Sequence, residues 1–466
     1  NNWIYAGILA KRDGSQAEEI RTLGIKLIDV VVVNLYPFEK TIASATATLD
    51  DAIENIDIGG VSLLRASAKN YSSVWSVSSP SQYDKLITGI GLQIDGMLEH
   101  ASSIRRDFAI TSLCLTSQYD SMISKYLAGV STSDVETMPQ LLDMQFTKIQ
   151  EMRYGENSHQ SAGMYHKLGA SMTGGIANAI QKQGKELSYN NITDSDAALK
   201  CCDYIAKQFP GRYVCVIVKH ANPSSVSLGS SYLEAYEKAF KADPISAFGG
   251  IIAFGCSEIP PLDGDTASRI VANQFLEVVL AAKFSPEALA AFSAKGNIRV
   301  LEAVMPSSDI PTYEIKTISG SGILYQETDM KVLGVDDMRV VSIRQPTSSE
   351  IEDMRFAWAV ARYVKSNAIV FVKNGMTYGI GQGQTNRLDS VKLAAIRAKQ
   401  FGFDLNGTIV ASDGFIPFRD TTDCILETGA IVIIQPGGSL RDKDSIQAAN
   451  EKNAVMVFTG FRCFLH

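Results

Sequence analysis

Residues 430–458 contain the pattern that most restricts the fold of this chain. Apolar runs at 430–434 and 454–458 flank the turn Gln435-Pro436-Gly437-Gly438 and a helical segment at 442–450. Two short apolar strands joined through one helix are typical of a βαβ unit. The pattern therefore predicts an α/β protein.

Short strands and helices also alternate in the first third of the chain. The apolar run 27–33 predicts a buried parallel strand, and Pro37 halts it. Asp51 with Glu54 three residues later resembles a capping box. The next predicted elements are a helix at 61–70 and a strand at 74–77.

A second region begins after the polar segment 131–140, which has few apolar residues and is the expected domain boundary. Asn374-Gly375 lies between the apolar runs 368–373 and 376–380 and predicts a β-hairpin, because Asn-Gly tolerates the positive φ of a type I′ turn. The other predicted elements are strands at 213–218 and 251–254 and helices at 232–241 and 390–400.

The composition narrows the class of protein. With 466 residues, 45% of them hydrophobic, and a formal net charge of −7, the chain is expected to form two or three domains without a polybasic surface for nucleic acid or membrane. No apolar run is long enough to span a membrane, and the first residues do not resemble a signal peptide. Seven scattered cysteines without a C-x-x-C motif indicate reduced thiols, and we therefore expect a cytoplasmic enzyme.

Lys219-His220-Ala221-Asn222-Pro223 directly follows the predicted strand 213–218. Side chains at the carboxyl end of a strand project into the ligand crevice of an open α/β sheet. There His220 suits a general base, Lys219 suits a carbonyl or an anion, and Pro223 fixes the turn. A polar loop that merely leaves a strand is an equal alternative.

A second polar cluster surrounds one glycine in Arg153-Tyr154-Gly155-Glu156-Asn157-Ser158-His159-Gln160. Arg153 and His159 are suited to phosphate recognition, which favours a ligand loop. The alternative is a solvated surface loop.

Glycine-rich segments offer backbone N–H groups to anions. Gly379-Ile380-Gly381-Gln382-Gly383 comes before the helix at 390–400, and Phe248-Gly249-Gly250 has a similar pattern. Each is also consistent with a tight turn. The order G-x-G-x-x-G with a later acidic residue is absent, so a dinucleotide site is not indicated.

Charged residues near Gly59-Gly60 suggest an anion site in the first third. Arg65 and Lys69 are four residues apart on one predicted helix face, and Asp57 comes just before it. An exposed basic face is the alternative. No metal is expected, because neither H-E-x-x-H nor the H-x-E with P-C-x-x-C of zinc deaminases occurs.

Taken together, these segments resemble the bifunctional purine-biosynthesis family that combines AICAR transformylase with IMP cyclohydrolase. The similar stretches occur in the family's order and cover nearly all of the chain. They are 31–38, 56–60, 68–70, the Arg153 loop, 219–223, 243–250, 365–367, 379–387, 412–420 and 435–441.

The resemblance implies an architecture. Residues 1–130 would form a truncated IMP cyclohydrolase domain with a methylglyoxal-synthase-like parallel sheet, and 131–150 would be a linker. Residues 151–466 would form the transformylase domain from two cytidine-deaminase-like lobes that lack zinc. The family's active sites form across a homodimer interface.

The resemblance also implies a reaction, in which the 5-amino group of AICAR ribonucleotide attacks the formyl carbon of 10-formyltetrahydrofolate as co-substrate. His220 would relay the amine proton, and Lys219 and Asn367 would steady the oxyanion and the leaving nitrogen. No metal or redox cofactor is implied. Residues matching the nucleotide side are Arg153, Tyr154, His159, Asn222, Phe248, Gly249, Glu277 and Arg462, and those matching the folate side are Arg387, Phe415, Pro417 and Phe418.

Tyr36, Asp57 and Lys69 match cyclohydrolase positions, but the family's phosphate loop and its Lys-Thr-Leu-His-Pro motif would precede Asn1, and Tyr5 stands where histidine is common. Near the transformylase motifs, Ser158 replaces a proline and Ser224-Ser225 replace Cys-Gly. Ala282 replaces a further proline, and Cys463 and Leu465 stand where the family has histidine and arginine. Formyl transfer is the expected activity. The alternatives are a fully bifunctional enzyme and a catalytically inactive nucleotide-binding homologue.

Overall fold

The computed structural model describes residues 2–44, 46–130, 138–167, 174–305 and 313–466. The chain divides into two compact units, Asn1–Gln145 and Phe146–His466. Of the polar segment expected to separate two domains, residues 131–137 lie outside the described residues.

The first unit is mainly helical around a small parallel sheet. Its elements are α1 (Asn2–Leu9), α2 (Gly14–Thr22), β1 (Val30–Val32), α3 (Phe38–Ile42), α4 (Leu49–Glu54), α5 (Gly59–Lys69), β2 (Trp75–Val77), α6 (Tyr83–Ile94) and α7 (Leu98–Val130). β1 pairs with β2 in parallel, as predicted, although the strand expected at 27–33 has only three residues in the ladder.

The capping box predicted from Asp51 and Glu54 is wrong by one turn. Thr48 is the N-cap of α4: its hydroxyl accepts the N–H of Asp51 at 3.1 Å, and the Asp51 carboxylate accepts the N–H of Thr48 at 2.9 Å. This reciprocal pair satisfies two backbone donors that a helix start leaves without partners.

The second unit contains the large sheet. Its elements are β3 (Phe146–Met152), β4 (Ala162–Lys167), β5 (Ile180–Gln183), α8 (Tyr189–Gln208), β6 (Tyr213–Lys219), β7 (Asn222–Gly229), α9 (Tyr232–Ala242), α10 (Pro244–Ala247), β8 (Gly250–Gly255), α11 (Gly264–Asn273), β9 (Leu276–Ala281), α12 (Pro286–Ser293), β10 (Arg299–Glu302), β11 (Tyr313–Thr317), β12 (Ile323–Glu327), β13 (Arg339–Val340), α13 (Ser348–Ala361), β14 (Ile369–Lys373), β15 (Met376–Gly381), α14 (Arg387–Gln400), β16 (Ile409–Ser412), α15 (Arg419–Glu427), β17 (Val432–Gln435), α16 (Asp442–Glu451) and β18 (Val455–Phe458).

Across the described ranges the large sheet has 12 strands in the order β13-β18-β17-β16-β14-β15-β7-β6-β8-β9-β10-β5. β17, α16 and β18 form the predicted βαβ unit, in which Val432 lies opposite Val455 in a parallel ladder. The predicted Asn374-Gly375 hairpin also occurs, with φ of 53° and 65° at the two turn residues. The α/β class predicted from these patterns is confirmed.

The sheet is built from one arrangement that occurs twice. In the first repeat, residues 189–302, α8 precedes the β6–β7 hairpin, and helices then alternate with β8, β9 and β10. In the second repeat, residues 348–458, α13 precedes the β14–β15 hairpin, and helices alternate with β16, β17 and β18. The spatial orders β7-β6-β8-β9-β10 and β15-β14-β16-β17-β18 are the same.

Both faces of the central strands of the sheet are buried. Along β6, Val214, Val216 and Val218 belong to the core that packs on α8 and α13, whereas Cys215 and Ile217 belong to the core under α9, α11 and α12. Successive strand residues point to opposite faces, so a strand covered on both sides is apolar throughout. The core on α8 and α13 runs through both repeats.

The repeats meet where β7 lies antiparallel to β15, with Ser227 opposite Met376. The N–H of Leu228 donates to the carbonyl of Gly375 at 2.7 Å. The Thr377 hydroxyl accepts the N–H of Val226 at 3.0 Å and donates to the Val226 carbonyl at 3.2 Å. A side-chain hydroxyl therefore replaces a backbone partner at this junction.

Candidate functional site

Lys219 and His220 lie at a two-residue hairpin turn and not at the open end of a parallel strand. Lys219 pairs with Asn222, which leaves His220 and Ala221 as the turn residues, with φ of 54° and 55°. β6 is antiparallel to both of its neighbours, so the rule that side chains at the carboxyl end of a strand project into a ligand crevice does not apply here. Pro223 does not fix the turn, because it lies in β7 opposite Val218.

Asp194 of α8 holds this turn. Its Oδ1 accepts the N–H of Ala221 at 2.7 Å, and Ser188 and Asn191 form the capping box that begins the helix. Burial raises the pKa of Asp194, while hydrogen bonds from Ala221 and His220 and the nearby imidazole act in the opposite direction. Sequence reasoning missed Asp194, since no local signal connects it with a turn 27 residues later.

Lys219 lies against the segment that contains Phe248 and Gly249. Its Nζ donates to the carbonyl of Phe248 at 2.8 Å, which leaves further ammonium donors for a ligand. Gly249 has φ of 69°, and its N–H donates to the carbonyl of Phe275 at 2.8 Å. The Phe248 side chain is 60% exposed beside the Phe275 ring, so an apolar surface borders the lysine.

Asn222 connects the turn with the segment that contains Asn367. Its Oδ1 accepts the N–H of Lys365 at 3.1 Å, and its Nδ2 donates to the carbonyl of His220 at 3.4 Å. The structure thus brings the Lys219–His220 turn next to residues 365–367, which are distant in sequence.

Asn367 follows a cis peptide bond from Ser366 and is held on both ends of its amide. Its Nδ2 donates to the carbonyl of Gln384 at 2.9 Å, and its Oδ1 accepts from the guanidinium of Arg387 at 2.9 Å. The hydroxyl of Ser390 donates to the backbone carbonyl of Asn367 at 2.8 Å. One amide hydrogen remains for a ligand, in an orientation that three side-chain and backbone groups fix.

Arg387, predicted on the folate side, is 8% exposed and forms an ion pair with the fully buried Asp413. It also donates to the hydroxyl of Ser412 at 2.9 Å. Asp413 accepts the hydroxyl of Ser366 as well. The guanidinium is therefore committed to protein acceptors and orients Asn367.

The loop that follows β16 contains Phe415, Pro417 and Phe418. Phe415 and Phe418 are 44% and 51% exposed, and the buried Ile416 between them donates its N–H to the Gln435 side chain at 2.9 Å. Pro417 is half-buried. Two exposed rings on an anchored loop offer a flat apolar surface.

The last residues pack against the Asn367 segment. The N–H of Ser366 donates to the carbonyl of Leu465 at 2.8 Å, and the N–H of Cys463 donates to the carbonyl of Asp413 at 3.0 Å. The guanidinium of Arg462 lies over the Phe464 ring at 4.7 Å. The predicted Arg462 is thus carried on a tail tied to the candidate site.

The loop between β3 and β4 contains Arg153, Tyr154 and His159, and the side chains of Arg153 and His159 are exposed. The guanidinium of Arg153 stacks on the ring of Tyr154 and donates to its hydroxyl at 3.1 Å. The carbonyl of Glu156 accepts from Asn190 of α8 at 3.3 Å. The loop is thereby anchored to the helix that carries Asp194.

Glu277 lies on β9 and is paired with Arg299 of β10 at 2.8 Å. Its side chain is 37% exposed, while that of Arg299 is 15% exposed. The neighbouring cation fixes the carboxylate on the sheet.

In the first unit the structure brings Tyr36 and Asp57 together. The Asp57 carboxylate accepts the N–H of Tyr36 at 3.3 Å and that of Gly60, in the first turn of α5, at 2.6 Å. Lys69 is at the other end of α5, and nine residues of helix correspond to about 14 Å. Tyr36 is 56% exposed, and Asp57 is half-buried.

The interpretation of Gly379 and Gly381 as an anion-binding turn is wrong. Both lie in β15 against α14: a Cβ at Gly379 would be 2.3 Å from the Ala394 carbonyl oxygen, and one at Gly381 would be 1.9 Å from that of Ser390. These glycines permit close approach of strand and helix. Gly383, with φ of 67°, lies beyond the strand and donates to Lys365 at 2.9 Å.

No group of three His, Cys, Asp or Glu side chains within the described residues is arranged to hold a metal ion. No helix among them is long and apolar enough to cross a membrane.

The chain is similar to known proteins over most of its length. The family described as AICARFT/IMPCHase bienzyme matches residues 67–397. The bifunctional purine biosynthesis protein PurH of Polynucleobacter asymbioticus is 46% identical over 99% of this chain and 87% of the relative. PurH of Polynucleobacter necessarius is 45% identical over the same shares.

A solved structure described as the crystal structure of ForH shares 27% identity over 27% of this chain and 64% of that chain, and its TM-score of 0.23 is too low to support an argument about fold. The match to the family and the identity with the two relatives extend over most of the chain. The chain therefore belongs to the AICARFT/IMPCHase bienzyme family.

Proposed function

We propose that this chain transfers a formyl group from 10-formyltetrahydrofolate to the 5-amino group of AICAR ribonucleotide in purine biosynthesis. Membership of the family supports this reaction. The observation that carries it is the junction of the Lys219–His220 turn with residues 365–367 through the Asn222 Oδ1 and the Lys365 N–H.

In this reaction the amine nitrogen attacks the formyl carbon, and a tetrahedral oxyanion forms. His220 takes the proton that the amine loses and returns it to N10 of the folate, which leaves as tetrahydrofolate. Lys219 and Asn367 supply donors to the oxyanion and the leaving nitrogen. Both are pre-oriented, by Phe248 on one side and by Gln384 and Arg387 on the other, so little reorganisation is needed during the reaction.

The remaining side chains divide between the two substrates. The exposed Arg153 and His159 suit the phosphate of the nucleotide, and Phe415 with Phe418 suits the flat pterin of the folate. Arg387 would act on the folate side through Asn367. We assign Tyr154, Asn222, Phe248, Gly249, Glu277 and Arg462 to the nucleotide and Pro417 to the folate.

We infer that the two repeats correspond to cytidine-deaminase-like lobes without zinc and that the first unit is a methylglyoxal-synthase-like, IMP cyclohydrolase domain. The domains would be 1–130 and 151–466, joined by 131–150. A homodimer with active sites at its interface, a cytoplasmic location and chemistry without a metal belong to the same proposal.

IMP cyclohydrolase activity is the second candidate function, favoured by the contact between Tyr36 and Asp57. Formyl-AICAR would close to IMP in the first unit, with Lys69 as a further group of that site. A chain that bound nucleotides without reacting is the remaining alternative.

The test is to incubate the purified chain with AICAR ribonucleotide and 10-formyltetrahydrofolate and to follow tetrahydrofolate and the nucleotide products. His220→Ala should lower turnover by about 100-fold or more, and Asn374→Ala at the equivalent turn should not. Accumulation of formyl-AICAR would indicate transfer alone, and IMP would indicate both activities. Nucleotide binding without folate release would overturn the proposal.

A further inference from the structure

Two hairpin turns occupy the same place in the two repeats. His220 and Ala221 connect β6 to β7, and Asn374 and Gly375 connect β14 to β15, each with both residues in the left-handed region. Asparagine and glycine enter this region readily, whereas alanine adopts it at a cost. The first turn must therefore be held by contacts with the rest of the fold.

A carboxylate contacts each turn from the helix that precedes the hairpin. Asp194 accepts the N–H of Ala221 at 2.7 Å, and Asp353 accepts those of Asn374 and Gly375 at 2.8 and 2.7 Å. Each aspartate is the sixth residue of its helix, α8 or α13, and each helix begins with a capping box. A carboxylate therefore binds the backbone of both turns. Only the His220–Ala221 turn depends on this hydrogen bond, because Asn374-Gly375 adopts the left-handed conformation readily.

The strained turn is also the one that carries His220. A charged acceptor forms a stronger hydrogen bond with a backbone N–H than a neutral one does. Without this bond, the backbone of His220 and Ala221 would relax out of the left-handed region, and the His220 side chain would move with it. The hydrogen bond of Asp194 therefore controls where the His220 side chain points.

On the basis of the proposed function, we propose that Asp194 is a positioning residue for formyl transfer: its bond to Ala221 holds the left-handed turn that places His220. Asp353 makes the corresponding bonds without any role in the reaction. Removing Asp194 should therefore affect the rate of the chemical step, while removing Asp353 should affect stability alone.

The experiment compares Asp194→Ala, Asp194→Asn and Asp353→Ala in the full chain, with kcat, KM for AICAR ribonucleotide and melting temperature measured for each. Asp194→Ala should lower kcat by about 10- to 100-fold with KM nearly unchanged, because misplacing a catalytic group by about 1 Å has effects of this size. Asp194→Asn, whose amide oxygen still accepts the N–H, should recover most of kcat. Asp353→Ala should lower the melting temperature and leave kcat within about twofold of wild type, since it changes stability and not the site.

Ala221→Gly supplies a rescue that a merely structural role would not produce. Glycine adopts the positive φ without strain, so Ala221→Gly in the Asp194→Ala background should restore part of kcat. An Asp194→Ala enzyme with wild-type kcat would overturn the inference and leave the proposed function intact, as would equal losses of kcat in Asp194→Ala and Asp353→Ala. A wild-type chain that transfers no formyl group would overturn the proposed function and this inference with it.

Discussion

The two repeats of the large sheet share a scaffold and differ in the residues of their hairpin turns. Lys219 and Lys373 both end the first strand of a hairpin, and each ammonium donates to a backbone carbonyl. The Lys219 ammonium donates to Phe248, two residues before β8, at 2.8 Å, and that of Lys373 donates to Asn406, three residues before β16, at 2.6 Å. The contact of Lys219 with the backbone is therefore a property of the arrangement, independent of any reaction.

Further features recur at equivalent places. Both hairpins have a shift in register three residues before the turn, between Ile217 and Val218 and between Phe371 and Val372. Gly249 and Gly407 have φ of 69° and 71°. Gly249 donates its N–H to the carbonyl of Phe275 at 2.8 Å, and Gly407 donates its N–H to the carbonyl of Gly429 at 2.9 Å. At the turn itself, the first repeat has histidine and alanine where the second has asparagine and glycine. The first repeat therefore presents an imidazole at a turn whose backbone conformation is less favourable for its residues than that of Asn374-Gly375.

Exchanging the turns would test this comparison most severely. The double variant His220→Asn with Ala221→Gly should raise the free energy of unfolding by about 1–2 kcal/mol, because it removes the cost of left-handed backbone. Formyl transfer should nevertheless fall by about 100-fold or more, since no general base remains. Denaturant unfolding and turnover measure both effects. Retention of activity would show that the turn carries no catalytic group.

The paired lysines give the next largest effect. Lys219→Met should lower kcat by about 100-fold or more through loss of an oxyanion donor. Lys373→Met removes an equivalent contact with a carbonyl but lies outside the site, so its turnover should stay at the wild-type level while the melting temperature falls slightly. Equal turnover in the two variants would mean that both lysines serve the scaffold.

Helix packing differs between the repeats, and a third substitution measures it. Ser227 of β7 donates its hydroxyl to the Ala235 carbonyl at 2.5 Å, whereas Gly381 occupies the corresponding place in β15, without room for a Cβ next to Ser390. Gly381→Ser should lower the free energy of unfolding by about 1–3 kcal/mol, because the backbone of α14 must move. The control Ser227→Ala should cost about 1 kcal/mol for its lost hydrogen bond. Unchanged thermal unfolding of Gly381→Ser would contradict the close packing.

The smallest expected effect concerns pH. Burial raises the pKa of Asp353 above its usual range, and the N–H groups of Gly375 and Asn374 act in the opposite direction. The folded chain then binds this proton more tightly than the unfolded chain, so stability falls as pH rises from the usual aspartate value of about 3.9 through the raised value. Asp353→Asn should flatten the free energy of unfolding in that window. If the free energy of unfolding of Asp353→Asn depended more steeply on pH than that of wild type, the raised pKa of Asp353 would be contradicted.

The sequence predicted those parts of the fold whose signals are local. Asn374-Gly375 indicated its hairpin because few other dipeptides adopt that turn, and the apolar runs around 442–450 indicated the βαβ unit. His220 and Ala221 form the same turn although neither is a residue that favours positive φ. Pro223 suggested that the chain had left the sheet, but it lies in β7. Tertiary contacts overrode the local preference there.

The candidate site was predictable in residue type and less so in geometry. The residue types at 219–222 indicate a site, and the family resemblance implies 365–367. Nothing local indicates that Asn222 joins the two segments or that Arg387 is buried against Asp413. The family resemblance implied two lobes, but the residues alone do not indicate a repeat, because equivalent positions hold different residues, as at Ser227 and Gly381. The two repeats are recognisable from their strand order and hydrogen bonds and not from their residues.

The junction between the repeats also affects how the chain can be divided. β7 and β15 each cover the other's open edge, through Ser227, Met376 and the Thr377 hydroxyl. A fragment with one repeat would present an unpaired strand and half of the core on α8 and α13 to solvent, and such edges recruit other chains. We therefore expect a fragment of residues 146–338 to sediment as aggregates, whereas monodisperse fragments would contradict this. The duplication therefore limits self-association, because each repeat covers the strand edge that the other would expose.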